Sequence, residues 1–214
     1  MNRKILFFIL PILLIFSTSV VFYCTAYTFG SNIGYLYGIS FYWFFWCLII
    51  PSLINKKSLL AYLKNEKPLV VKKNWWIIIL LSSTIIIPVF MYNTLQNLMI
   101  KSLFLIIINI PLAFINGFGE EIFWRGFYIK EFPNSIIWGI IIPSIFFSLW
   151  HFAPQIAIPH ANRFLFVFST FLLGIVNGIV AYITKSAKWT AITHTIGGIL
   201  AVAGPAALSI YKLI

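Results

Sequence analysis

The chain has 214 residues, of which 61% are hydrophobic and only 9% are charged, and its mean hydropathy is +0.99. A water-soluble domain has about 25% charged residues, so this composition excludes an ordinary soluble globular protein. The net charge of +11 comes from basic residues in short segments between apolar runs. Because this is the distribution of membrane-protein loops, we expect contacts with a lipid bilayer and no nucleic-acid partner.

Seven apolar runs follow one another along the chain and predict an all-α fold, a polytopic membrane helical bundle of about seven transmembrane helices. Helices are expected because a segment in lipid must satisfy its own backbone hydrogen bonds. We expect one membrane domain, residues 1–214, with N-terminal helices and a basic cytoplasmic loop in 1–100 and a motif-bearing core in 102–200. The apolar runs are 5–26, 33–54, 75–92, 102–130, 135–152, 164–184 and 189–211.

The first run begins after Arg3 and Lys4 and extends from Ile5 to about Tyr27. Its start resembles a signal peptide, but its length is sufficient to span a bilayer, which takes about 20 residues. We therefore expect an uncleaved first helix.

The distribution of cations predicts the orientation of the helices. If the N-terminus is cytoplasmic, twelve of the fifteen Lys and Arg residues lie inside, which fits the positive-inside rule. The three outside are Lys101, Arg163 and Lys212. We expect a multi-pass protein of the cell membrane with a cytoplasmic N-terminus. The lysine-rich stretch 55–74 is either a short interfacial amphipathic segment or a plain loop.

The run 102–130 is too long for one straight span, since it would extend about 43 Å as a helix against a hydrocarbon core of roughly 30 Å. We expect it to tilt, to kink at Pro111, or to loosen near Gly117 and Gly119.

Two adjacent glutamates in this run are the most informative residues of the chain, which has four glutamates and no aspartate. An ionisable group at membrane depth costs roughly 2.5–3.5 kcal/mol, so Glu120 and Glu121 indicate a functional site. Glu121 and Arg125 are four residues apart on one helix face and are expected to pair. A buried ion pair that merely fixes helix packing explains these two residues, but it does not explain Glu120.

Two histidines in separate apolar runs, His151 and His194, are candidates for the same site, whereas His160 lies in a polar connection. Together with Glu120 they suit two chemistries. They can hold a divalent metal such as zinc, or Glu120 can activate water while the imidazoles assist. Counted from the inner end of each run, His151 lies about 24 Å deep and His194 about 9 Å deep. A tilt, or a break near Pro143 or Gly119, must therefore bring them to one level.

The motifs formed by these residues resemble those of the CPBP family, the CAAX-type prenyl endopeptidases and bacteriocin-processing or immunity proteins also called the Abi family. The family's EExxxR motif is EEIFWR at 120–125, and its FxxxH motif corresponds to Phe147 to His151. Its third motif, a histidine followed four residues later by asparagine in many members, corresponds to His194, but Gly198 stands at the asparagine position. The resemblance covers about residues 102–200.

The resemblance implies an intramembrane endopeptidase that acts on a peptide or protein substrate, either through a bound divalent metal such as zinc or through glutamate and water alone. It implies that Glu120 activates water, that His151 positions or shares this water, and that His194 donates to the oxyanion. It implies supporting roles for Glu121, Arg125 and Phe147. If a metal is bound, the implied ligands are Glu120, His151 and His194.

Gly198 removes one side-chain donor of the family pattern, and losing one oxyanion donor typically lowers the rate by about 10²–10³. Asn177, Thr195 or a backbone amide are the candidates to replace it. The alternative function is therefore a non-catalytic bacteriocin-immunity or scaffold protein that retains the fold. A transporter or proton relay also needs buried ionisable groups, but the chain lacks the repeated halves typical of transporters.

Overall fold

The computed structural model describes residues 2–55, 58–64, 74–91, 103–200 and 204–214. These residues form helices and no strand, which confirms the predicted all-α polytopic bundle. Five helical stretches are long and apolar enough to cross a membrane, and a sixth is obtained if two helices bent by 41° count as one span.

The helices follow the predicted apolar runs closely. The α-helices are α1 (Arg3–Phe29), α2 (Ser31–Phe41), α3 (Ile50–Asn55), α4 (Leu60–Leu63), α5 (Trp75–Met91), α6 (Leu103–Glu121), α7 (Tyr128–Glu131), α8 (Ile142–Trp150), α9 (Arg163–Thr184), α10 (Lys188–Leu200) and α11 (Pro205–Tyr211). The π-helical segments are π1 (Tyr42–Ile49), π2 (Ile122–Phe127) and π3 (Ile137–Ile141), and a 3₁₀ turn covers Pro154–Ile156.

The prediction of seven spans is not confirmed, because two runs differ from simple transmembrane helices. The run 75–92 forms α5, whose 17 residues extend about 26 Å and fall short of a hydrocarbon core of roughly 30 Å. The run 189–211 is the bent pair α10 and α11, and Pro205 begins the second helix. Most of the lysine-rich stretch 55–74 lies outside the described residues.

The long run 102–130 is one continuous span, Leu103–Glu131, with a change of winding near its end. Pro111 lies within α6 without ending it, and the backbone widens at π2, just after Gly117 and Gly119. The expected loosening is therefore present, but it lies a few residues later than predicted. Single π turns inside helices are frequent at functional sites.

An aromatic core holds π2 against the N-terminal helix. Phe7 of α1 lies 4.4 Å from Phe127 and 5.2 Å from Tyr128 between ring centroids. The Tyr128 hydroxyl donates to the Phe7 carbonyl at 2.9 Å. Phe123 and Trp124 are also fully buried. The segment that carries Arg125 is thus fixed on one side by the N-terminal half of the chain.

A close contact between α6 and α10 places the third motif beside the first. A Cβ atom added to Gly117 would lie 2.7 Å from the backbone nitrogen of Thr195, so only glycine permits this approach. Small residues allow membrane helices to pack closely in this way. The contact positions His194 next to the glutamates at the end of α6.

Candidate active site

Glu121 is the centre of a buried polar cluster. Its Oε1 atom accepts hydrogen bonds from His194 Nδ1 and from Asn177 Nδ2, both at 3.0 Å. The Arg125 Nη1 atom lies 3.2 Å from the same oxygen, which confirms the predicted pair. We call Glu121, Arg125, Asn177 and His194 the anchor cluster. It joins three helical segments, since its members come from α6 with π2, from α9 and from α10.

Arg125 is held mainly by charge and by an aromatic ring. Its guanidinium carbon lies 4.2 Å from the centre of the Phe147 ring, a cation–π contact. Neither terminal nitrogen makes a well-aligned hydrogen bond within the described residues, so the contact with Glu121 is an ion pair. Phe147 thus supports the anchor cluster through Arg125.

Glu120 has different surroundings from its neighbour. It is 2% exposed, and its Oε2 atom lies 3.6 Å from His194 Nε2, beyond ordinary hydrogen-bond length. The Tyr42 hydroxyl also interacts with it, and this hydroxyl accepts a hydrogen bond from Trp124 at 2.7 Å. The rest of the Glu120 side chain faces a cavity. The two adjacent carboxylates therefore have separate environments, as the sequence predicts.

His151 lies just beyond the C-terminal end of α8. Its Nδ1 atom is 2.8 Å from the Phe147 carbonyl oxygen. Because a carbonyl only accepts, we assign the ring hydrogen to Nδ1, which leaves the Nε2 lone pair of the neutral ring available. Edge-on contacts with Phe147 and Trp150 hold the ring in place.

A cavity of about 490 Å³ brings the candidate residues together, since Glu120, His151 and His194 all line it. π3 lies just before Pro143, where the sequence analysis expected a break that would bring the histidines level. The apolar wall of the cavity comes mainly from α9. Its α9 residues are Leu165, Phe166, Phe168, Leu172, Leu173 and Val176. His160 lies in the loop before α9, as expected, and does not line the cavity.

The possible metal set of Glu120, His151 and His194 is not formed in the described part of the chain. No three His, Cys, Asp or Glu side chains there are arranged to hold a metal ion. His194 directs Nδ1 to Glu121 and His151 directs Nδ1 to its own helix, so Nε2 is the ring nitrogen that faces away from these contacts in both residues.

Two asparagines, Asn116 and Asn177, make contacts at the site that the sequence does not predict. Asn177, considered as a replacement donor, instead holds Glu121. Asn116 lines the cavity, and its Oδ1 accepts a hydrogen bond from Trp43 Nε1 at 2.8 Å. The sequence contains one signal for Asn116, its position four residues before Glu120, which places both on one helix face.

Comparison with known families gives one match. The family model described as "Type II CAAX prenyl endopeptidase Rce1-like" matches residues 74–200, more than half of the chain. The matched region contains all three motifs and the whole anchor cluster. Comparisons with curated proteins and with solved structures gave no significant match.

Proposed function

This chain belongs to the type II CAAX prenyl endopeptidase Rce1-like family, a family of intramembrane proteases, and we propose that it hydrolyses a peptide bond with water activated by Glu120. The substrate is a small peptide or a membrane-associated protein. Apolar helices make the chain a multi-pass membrane protein, and the cation distribution supports a cytoplasmic N-terminus.

The observation that carries this proposal is the contrast between the two glutamates. Glu121 is surrounded by three side chains that neutralise or bind it. Glu120 instead borders the cavity together with His151 and His194. A general base must reach the water it deprotonates, and only Glu120 of the pair has a surface where water and a peptide bond fit.

In the attack step, water lies between Glu120 and the His151 Nε2 lone pair. The Glu120 carboxylate takes one proton as the water oxygen bonds to the carbonyl carbon, and the carbonyl oxygen acquires the negative charge. His151 accepts a hydrogen bond from the remaining O–H group and orients the nucleophile. His194, held by Glu121, lies beside this pair, with its Nε2 atom 3.6 Å from the Glu120 carboxylate.

In the collapse step, the carbon–nitrogen bond breaks and the carbonyl re-forms. Glu120 gives its proton to the leaving nitrogen, which departs as an amine, while the other product is a carboxylic acid. Glu120 returns to the carboxylate form, so one water is consumed and the enzyme is unchanged.

The apolar wall of the cavity supports a substrate with a lipid-like part. Leu165, Phe168 and Leu172 line the cavity and are also exposed on the outer surface of α9. A prenyl or other apolar group that enters from the bilayer would stay in apolar surroundings when it binds there. This fits the name of the family, that of a CAAX prenyl endopeptidase.

Hydrolysis of a quenched-fluorescent farnesylated CAAX peptide by the protein in nanodiscs tests the proposal. Glu120→Gln retains size but cannot accept a proton, so we expect turnover to fall about 10²–10⁴-fold. Glu131→Gln is the matched control, because Glu131 does not line the cavity and its partner at 3.4 Å, Arg3, is exposed to solvent. Wild-type turnover in Glu120→Gln would contradict the proposal and favour a non-catalytic binding protein.

A further inference from the structure

The proposed hydrolysis places negative charge on the carbonyl oxygen, and a protease needs a hydrogen-bond donor for this oxyanion. The donor must lie on the cavity wall and must not already be engaged elsewhere. The polar side chains of the described cavity wall can be compared one by one on this criterion.

The four hydroxyl groups on the wall are engaged. Each donates to a carbonyl oxygen three residues earlier in its own helix, at 2.7 or 2.8 Å. They belong to Ser83, Thr84, Ser169 and Thr170. A hydroxyl has a single hydrogen to donate, so none of these groups is ready to bind an oxyanion.

The two histidines each donate from Nδ1 outside the cavity wall, and their Nε2 atoms are directed at the nucleophile side of the site. His151 donates from Nδ1 to its own helix and presents a lone pair at Nε2. His194 donates from Nδ1 to Glu121, and its Nε2 atom faces Glu120. His194 is thus directed at the two glutamates, and His151 is directed at the water in the proposed mechanism.

The replacement donors suggested by the sequence do not reach the cavity. Asn177 is fully buried and donates to Glu121. The Thr195 hydroxyl is buried in the contact with Gly117. Neither residue lines the cavity. Gly198 does line it but has no side chain, and a Cβ atom there would lie only 3.1 Å from the Ala113 Cβ.

Asn116 meets the criterion. The indole N–H of Trp43 can only donate, so the atom that accepts it is the amide oxygen of Asn116, and the NH₂ group occupies the other end of the amide. No described residue accepts a hydrogen bond from this NH₂ group. Asn116 is one helical turn before Glu120, at a Cβ separation of about 5–6 Å, and both line the cavity.

We propose that the Asn116 amide NH₂ group is an oxyanion donor of this enzyme and that Trp43 is the positioning residue that fixes its orientation. The proposal rests on the proposed hydrolytic function. It explains how the chain functions without a side-chain amide at position 198. Gly198 of α10 packs against Ala113 of α6, and the amide is supplied by Asn116 of α6 instead.

Two substitutions separate this role from a structural one. Asn116→Asp keeps an oxygen to accept the Trp43 hydrogen bond but replaces the NH₂ donor by an acceptor. Asn116→Ala removes the amide at a half-buried position beside an open cavity, where no enclosed void is created. Thr195→Val is the matched control, because it removes a buried hydroxyl that has no partner among the described residues and does not line the cavity.

Steady-state kinetics on the farnesylated CAAX peptide, with the unfolding midpoint measured on the same samples, tests the proposal. We expect kcat to fall about 10²–10³-fold in both Asn116 variants at unchanged KM, since an oxyanion donor acts mainly in the transition state. Thr195→Val should retain wild-type kcat. A folded Asn116→Asp or Asn116→Ala protein with wild-type kcat, or a loss confined to KM, would overturn the proposal.

Glu120→Gln separates this outcome from failure of the proposed function. If Glu120→Gln is inactive while both Asn116 variants turn over normally, only the assignment of the oxyanion donor is wrong. If Glu120→Gln retains wild-type turnover, the proposed hydrolytic function itself is wrong.

Discussion

The anchor cluster and the cavity face meet at the end of α6 and differ in what their polar atoms contact. In the anchor cluster, Glu121 is bound by side chains of its own helix and of two others. On the cavity face, defined by Asn116, Glu120 and His151, each residue has fewer polar partners than Glu121 and borders open space. The role of a buried glutamate is therefore indicated less by how deeply it is buried than by whether its carboxylate borders a cavity.

The anchor cluster accounts for the position of the cavity face. Buried charges cost several kcal/mol each unless they are paired, so Glu121 and Arg125 are stable only while their partners stay in place. Because Asn177 and His194 come from α9 and α10, the cluster fixes two of the helices that border the cavity. Changes in the cluster should thus act on folding, and changes on the cavity face should act on turnover.

The largest expected effect on stability is that of Arg125→Ala. Removing one partner of a buried pair leaves an uncompensated charge, which costs about 3–5 kcal/mol. We expect a free energy of unfolding lower by this amount, measured by SDS titration in mixed micelles, and a lower folded yield. Arg163→Ala is the control, since Arg163 is exposed at the start of α9. Equal unfolding curves for the two variants would show that the pair with Glu121 does not stabilise the fold.

A smaller effect is expected when α6 and α10 are forced apart at Gly117. In Gly117→Ala the new methyl group meets Thr195 backbone atoms, and such overpacking costs about 1–3 kcal/mol. Gly119→Ala is the matched control, because its methyl group would meet only the Cys47 Cβ at 3.4 Å, an ordinary contact. Thermal unfolding compares the two variants. A destabilised Gly119→Ala with a normal Gly117→Ala would contradict the described helix contact.

An effect of similar size is expected for Phe147→Leu. The change keeps an apolar side chain but removes the ring beneath Arg125, a contact worth about 2 kcal/mol when desolvated. We expect a modest drop in unfolding midpoint. Phe146→Leu is the control, since Phe146 packs on Phe8 instead. Equal midpoints in the two variants would indicate that the cation–π contact contributes nothing measurable.

The local parts of the anchor cluster could be predicted from the sequence. Glu121 and Arg125 are four residues apart on a helix, so their pairing follows from helix geometry alone. The same geometry predicts that Glu120 faces different neighbours. The apolar runs likewise predict most of the helices, because helix formation in lipid is imposed by the solvent.

The remaining parts depend on contacts between helices and could not be predicted from spacing. Asn177 reaches Glu121 across 56 residues, and Trp43 reaches Asn116 across 73. No periodicity specifies which polar side chains on separate helices meet. Among the described residues, π2 and π3 lie near the loosening expected at Gly119 and the break expected at Pro143, whereas nothing in the sequence indicated π1.

The most direct test of the account compares Glu120→Gln and Glu121→Gln in one experiment, with kcat on the farnesylated CAAX peptide and the unfolding midpoint as readouts. The two changes are chemically identical and one residue apart. We expect Glu120→Gln to lose about 10²–10⁴-fold in kcat at a wild-type midpoint. We expect Glu121→Gln to unfold at a lower temperature, because Arg125 loses its counter-charge. A Glu120→Gln protein with wild-type kcat, or a Glu121→Gln protein with a wild-type midpoint, would contradict the division of roles between the two glutamates.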